Sequence, residues 1–195
     1  NYPEKVAGLI LCNTAGSLLD AEQVKEAGAL DVAARTLSLD LAPYAGPPQF
    51  ALDAFGEVVI AGLRPKIPEL LKKYYDVRPE NADAALANAI SRDARDPGAA
   101  NVIGSGAKLP PQRSLNEDFG IYEGPILVPQ GSRDAVTGPE RAQQRADDLE
   151  KLRPDITVVK LVSGHCPHDE TPDLVADAIG GWWPRAVERA RSLTI

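Results

Sequence analysis

The chain has 195 residues, 44% hydrophobic and 25% charged, which is enough apolar material for a buried core and argues against global disorder. Its formal net charge is −7, from 21 basic and 28 acidic residues with no lysine–arginine block, so it lacks the positive face that a nucleic-acid backbone requires. The longest apolar runs are too short to span a bilayer, and the length suits one domain, or most of one with an added lid.

The sequence contains no methionine and no basic-then-apolar leader, and it enters an apolar segment directly after Asn1-Tyr2-Pro3-Glu4. This is the pattern expected of a processed or incomplete chain. Val6 to Cys12 is a nearly continuous apolar run, as expected of a strand covered on both faces. From Ala21 to about Gly120 no strand is expected except at Glu57 to Ala61. Helices are expected at Ile67 to Tyr75, with an apolar stripe of Leu70, Leu71, Tyr74 and Tyr75, and at Asn81 to Arg92. Breaks fall at Gly46-Pro47-Pro48, Asp96-Pro97-Gly98 and Pro110-Pro111. Such a block of short helices sits either as a lid over one end of a sheet or as connecting helices on its face.

The second strand is expected at Pro125 to Pro129, after the turn residues Glu123-Gly124, and the third at Ile156 to Val162. Between them Pro139 to Arg153 reads as an amphipathic helix, with proline in the first turn and Ala142, Ala146 and Leu149 at helical spacing. Strand, helix, strand at this length defines a βαβ unit and a parallel sheet. Pro172 to Ile179 and Pro184 to Leu193 read as a final helix interrupted at Gly180-Gly181 and kinked or broken at Pro184. The fold class is therefore α/β.

Asp134 follows the second strand in Gly131-Ser132-Arg133-Asp134, and His165 follows the third in Ser163-Gly164-His165-Cys166-Pro167-His168-Asp169-Glu170. Catalytic groups in open α/β sheets collect at the carboxyl ends of strands. An aspartate there that accepts from one imidazole nitrogen leaves the other free to act as a base. Alone, such an aspartate is ordinarily a turn former and a single histidine ordinarily structural; their placement at successive strand ends is what suggests chemistry. Cys12 and Cys166 are the only cysteines and imply no disulfide. No cofactor is implied, and no metal, because His165 and His168 have no third ligand at a usable spacing.

Gly-Ser-Arg-Asp after one strand, followed by Gly-His-Cys-Pro-His-Asp-Glu-x-Pro after the next, resembles the end of an α/β-hydrolase, closest to the plant and cyanobacterial pheophytinase-like esterases. The opening Asn1 to Leu11 resembles the stretch after that family's nucleophile helix, which forms its sixth strand. Arg64 to Asp76 and Asp96-Pro97-Gly98-Ala99-Ala100 resemble its helical cap, and the likeness extends to about Trp183. The resemblance implies core segments at 1–20 and 121–195 around a helical cap at 21–120. It also implies Asp134 as triad acid, His165 as general base and a small apolar ester as substrate. His168 would be a supporting residue or a loop histidine bonded to backbone, and Trp182 and Trp183 would pack helix against sheet. Location in a plastid or cyanobacterial cell rests on the resemblance alone.

The departure from the family pattern is large. Its nucleophile elbow is Gly-x-Ser-x-Gly, and no serine here has glycine two positions before it. Ser105, in Gly104-Ser105-Gly106, has glycines at the wrong spacing and is expected in a loop. The serine and the oxyanion loop are expected upstream of Asn1, so the chain alone would be inactive, with an open sheet edge that invites another protein chain or aggregation. The missing half could also come from a separate chain. The alternative is a non-catalytic hydrolase-like subunit of a larger assembly. Dehalogenases, epoxide hydrolases and C–C bond hydrolases share the layout and differ in nucleophile and cap lining.

Overall fold

The structure, a computed structural model, describes residues 5–20, 22–25, 46–108 and 114–193. The opening Asn1 to Glu4 and the break at Pro110-Pro111 lie outside the described residues. Three parallel strands lie side by side in chain order: β1 (Leu9–Ile10), β2 (Ile126–Gly131) and β3 (Ile156–Leu161). Leu9 stands opposite Ile126, and Ile126 opposite Ile156. The six residues of β2 are all buried, because β2 has a neighbour on each edge and helices over each face. β1 is shorter than the expected 6–12 and, among the described residues, pairs with β2 alone. Its pairing nevertheless runs on to Asn13, whose N–H donates to the Pro129 carbonyl at 3.0 Å.

Between β1 and β2 lie α1 (Gln49–Leu63), α2 (Ile67–Tyr74), α3 (Ala84–Asp93), α4 (Ala99–Ser105) and α5 (Leu115–Ile121). The strand expected at Glu57 to Ala61 is instead part of α1. Leu52, Gly56 and Ile60 recur every fourth residue as its buried face, and this helical period prevails over the strand preference of Val58-Val59. α5 was not anticipated, although Ser114 and Glu117 form a reciprocal capping box at its start.

The crossover helix α6 (Pro139–Leu152) ends one residue before the expected bound and buries Ala142, Ala146 and Leu149. On that face of the sheet, Ile126 and Val128 pack with Leu115, Phe119 and Leu149. On the other, Leu127 packs with Trp182 and Ala186 of the last helix, α8 (Pro172–Leu193). The fully buried Ile126, Leu127, Val128 and Leu149 side chains each contribute about 1.5–3 kcal/mol. α8 is continuous through Gly180-Gly181 and Pro184, contrary to the expected interruption; its packing on the sheet outweighs the hydrogen bond that Pro184 cannot donate. Trp182 is buried, whereas Trp183 is 58% exposed and does not pack helix to sheet as expected. No described helix is long and apolar enough to cross a membrane.

Helices α1 and α4 approach until a side chain on Gly56 would collide with the Ala100 carbonyl. Gly62, on the same helix, faces open space. Gly56→Ala is expected to destabilise the protein by about 1–3 kcal/mol through forced separation of the helices. Gly62→Ala should be neutral or stabilise by up to about 1 kcal/mol through helix propensity. Urea unfolding of the two variants checks the contrast.

Candidate functional site

The ends of β2 and β3 stay paired beyond the strands: Ser132 N–H donates to the Leu161 carbonyl at 2.8 Å and Arg133 N–H to the Ser163 carbonyl at 3.0 Å. This carries Asp134 and His165 to one place. His165 Nδ1 lies 3.0 Å from Asp134 Oδ1, with the aspartate buried and the imidazole about one-third exposed. A carboxylate can only accept, so the bond places a proton on Nδ1, and in the neutral imidazole the lone pair is then on Nε2. The same Oδ1 accepts the Val136 N–H at 2.8 Å. Asp134 is thus both a turn former and the histidine's partner.

The histidine is held on several sides. Its own N–H donates to the Tyr74 carbonyl at 2.9 Å, and its ring leans on the Tyr74 ring with centroids 5.5 Å apart. Asn13 donates to the carbonyls of Gly164 and His165 at 2.9 and 2.8 Å, while its Oδ1 accepts the Gly131 N–H at 2.6 Å. Gly164 admits no side chain, since a Cβ would collide with the Tyr74 carbonyl. Glu170 closes the loop from below. It is fully buried and accepts from Ser163 Oγ at 2.9 Å, from Gly164 N–H, and from the N–H groups of Val77 and Arg78 at 2.6 and 3.1 Å. Arg78 in turn forks onto Asp173 at 2.6 and 2.8 Å and holds that carboxyl below its ordinary range.

The other expected residues stand apart from the pair. His168 is exposed on the short helix α7 (Pro167–Glu170) and takes no part in the Asp134–His165 bond. Ser105 ends helix α4, not a loop, and its hydroxyl points to Asn101 at 3.4 Å. Cys12 and Cys166 are free and half-buried. Among the described residues, no group of three metal-ligating side chains occurs. The sequence gives no site role to Asn13 or Glu170, and reads Tyr74 only as part of the apolar stripe of α2. Asn13 had one legible signal, an amide directly after an apolar run. Glu170 stood inside the quoted motif, but nothing local marks a carboxylate that receives donors from residues 77 and 78.

No family model matches the chain, and no curated protein matches it. Among solved structures, a thermophilic esterase from Thermogutta terrifontis, determined with malate bound, matches with a TM-score of 0.53 at 19% identity. The match covers 95% of this chain and 58% of the esterase, so the chain spans little more than half of that protein's length. With the parallel sheet flanked by helices, this likeness defines the fold: the chain adopts part of an α/β-hydrolase fold.

Glu170→Ala leaves buried donors without an acceptor and is expected to cost about 3 kcal/mol or more. Asp173→Ala, at the exposed end of the same seam, should cost far less. Chemical denaturation of both checks this.

Burial, then the carboxylates of Asp169 and Glu170, push the Cys166 thiol up, and burial also raises Cys12 and Tyr75. These groups bind protons more tightly when folded. Their stabilisation is complete below the unfolded thiol value of about 8.5 and is lost as pH rises through the folded values. The urea midpoint is therefore expected to fall above about pH 8.5, and to fall less in Cys166→Ala.

Proposed function

We propose that Asp134 and His165 are the acid and general base of a serine-type ester hydrolase, with the nucleophile contributed by a segment not contained in these 195 residues. The carrying observation is the 3.0 Å Nδ1–Oδ1 bond at the carboxyl ends of neighbouring parallel strands, with Nε2 left available. In that role Nε2 takes the proton of an attacking serine, and buried Asp134 steadies the imidazolium that results. The sequence holds no Gly-x-Ser-x-Gly, and the one glycine-flanked serine lies on α4 bonded to Asn101. The edge of β1 away from β2, which pairs with no strand among the described residues, borders an apolar groove of about 840 Å³ between Ile10 and the α8 residues Trp182, Trp183 and Ala186. That edge and groove are where the elbow-bearing segment, from the same or another polypeptide, would dock.

The helices between β1 and β2 serve on this reading as a cap, and the exposed apolar side chains Phe50, Phe55, Val58 and Val102 on α1 and α4 suit an apolar acyl substrate. A relation to pheophytinase-like esterases, with a plastid or cyanobacterial setting, is the finer form of the proposal. It rests on the motif around His165. The absent elbow supports a second reading, a hydrolase-like subunit that binds a partner and does no chemistry.

The test is hydrolysis of p-nitrophenyl esters. The chain alone should be inactive. Combined with a hydrolase segment bearing Gly-x-Ser-x-Gly it should turn over, and Asp134→Asn should then lower kcat by about 10⁴-fold through the wrong imidazole tautomer. His165-dependent turnover by the chain alone would show that it carries its own nucleophile. Inactivity of every combination would leave the binding subunit.

A further inference from the structure

Asn13 occupies the point where all three strands end. Its backbone N–H closes the β1–β2 ladder on Pro129, its Oδ1 accepts from Gly131 at the end of β2, and its amide nitrogen donates to Gly164 and His165 beyond β3. The partners settle the amide's orientation: Gly131 N–H can only donate, and the two carbonyls can only accept. Its φ of +44° is left-handed, a conformation that asparagine tolerates better than most residues and that turns the side chain across the sheet end. One side chain therefore ties the segment leading to Asp134 to the backbone of His165 itself.

We propose that Asn13 is a positioning residue for the Asp134–His165 pair, fixing the separation of the two strand ends so that Nδ1 stays on the carboxylate. The proposal rests on the reading of that pair as acid and base. The two strand ends are paired by the Ser132 and Arg133 N–H groups, but neither of those bonds reaches residue 164 or 165. Beyond Ser163 the loop is held by Asn13 from the sheet side and by Tyr74 and Glu170 from the helical side. Among the described residues, only the Asn13 hydrogen bonds link it to the strand that precedes Asp134. Loss of the Asn13 amide would leave the histidine following the helices while the aspartate follows the sheet.

The chain has two histidines, so histidine-selective ¹⁵N labelling of the full-length protein resolves both imidazoles. Well above the usual imidazole range, His165 is expected to show a protonated Nδ1 with a downfield, hydrogen-bonded proton, and a bare Nε2. Asn13→Gly accepts the left-handed backbone and removes all three side-chain bonds. The expected result is a natively folded variant in which the downfield proton is lost and the two tautomers mix. Loss of a purely stabilising asparagine would lower the melting temperature and leave this signature in place, so an unchanged signal in folded Asn13→Gly overturns the proposal. Should that variant fail to fold, Asn13→Asp keeps the acceptor for Gly131 and sets an oxygen against the two carbonyls. It is read by the same loss or persistence. Asp134→Asn in otherwise native protein calibrates the lost state. If the unsubstituted protein lacks the signature, the acid–base pair itself fails and the positioning role with it; if it shows the signature and Asn13→Gly retains it, only the positioning role fails.

Discussion

The rest of the molecule depends on β2 having no surface. Both of its edges are taken by parallel strands and both of its faces by helices, so the backbone must satisfy its polar groups within the sheet. A parallel sheet sends all its chain exits to the same end. The Gly131–Asp134 turn and the 162–165 loop therefore leave side by side, and the ladder continues through Ser132 and Arg133 before it releases them. Proximity of the carboxylate and imidazole is thus a consequence of core burial several residues earlier. The side-chain contact selects only the final geometry.

That final geometry is held by groups from outside the strands. Tyr74, Val77, Arg78 and Asn81, all from the helical stretch between β1 and β2, bond the histidine loop or the Glu170–Asp173 segment just after it. Tyr75 adds a 2.5 Å bond to Asp169, and Cys166 packs among Ile67, Leu71 and Tyr75. Helix α2 and the turn after it are therefore fastened to the sheet at the histidine. Motion of that helical stretch would be felt at His165 before it is felt in the core, because the core residues of β2 touch a different set of helices.

What the sequence revealed and what it hid divide along a physical line. β2, β3 and α6 were legible because burial writes a period into the residues that make them: a continuous apolar run, or Ala142, Ala146 and Leu149 on one face. The pair of Asp134 and His165 was legible because both sit directly after such runs. Part of helix α1 reads as a strand, since Val58, Val59 and Ile60 form a β-prone run whose helical period shows only where Leu52 and Gly56 share a face with Ile60. Asn13 and Glu170 were passed over for another reason. Asn13 bonds residues 118 to 152 positions away, and Glu170, besides its near neighbours Ser163 and Gly164, accepts from residues 92 and 93 positions away. No local pattern encodes those partners.

The two outer edges of the sheet are not alike, and the difference bears on the proposed function. β3 carries Lys160 beside Asp147 and Glu150, the kind of charged residue that discourages further strands from pairing. β1 carries Ile10 against an apolar groove, with Trp183 of α8 left half-uncovered along it. One edge is blunted and the other is sticky. A strand added in parallel to β1 would end beside Asn13, and so beside the carbonyl of His165 that Asn13 holds. On the proposed reading, a segment that pairs with β1 and the segment that carries the nucleophile are then one object, whose carboxyl end would arrive near the histidine loop. Were the nucleophile to come from anywhere else, the apolar edge of β1 would need a separate explanation.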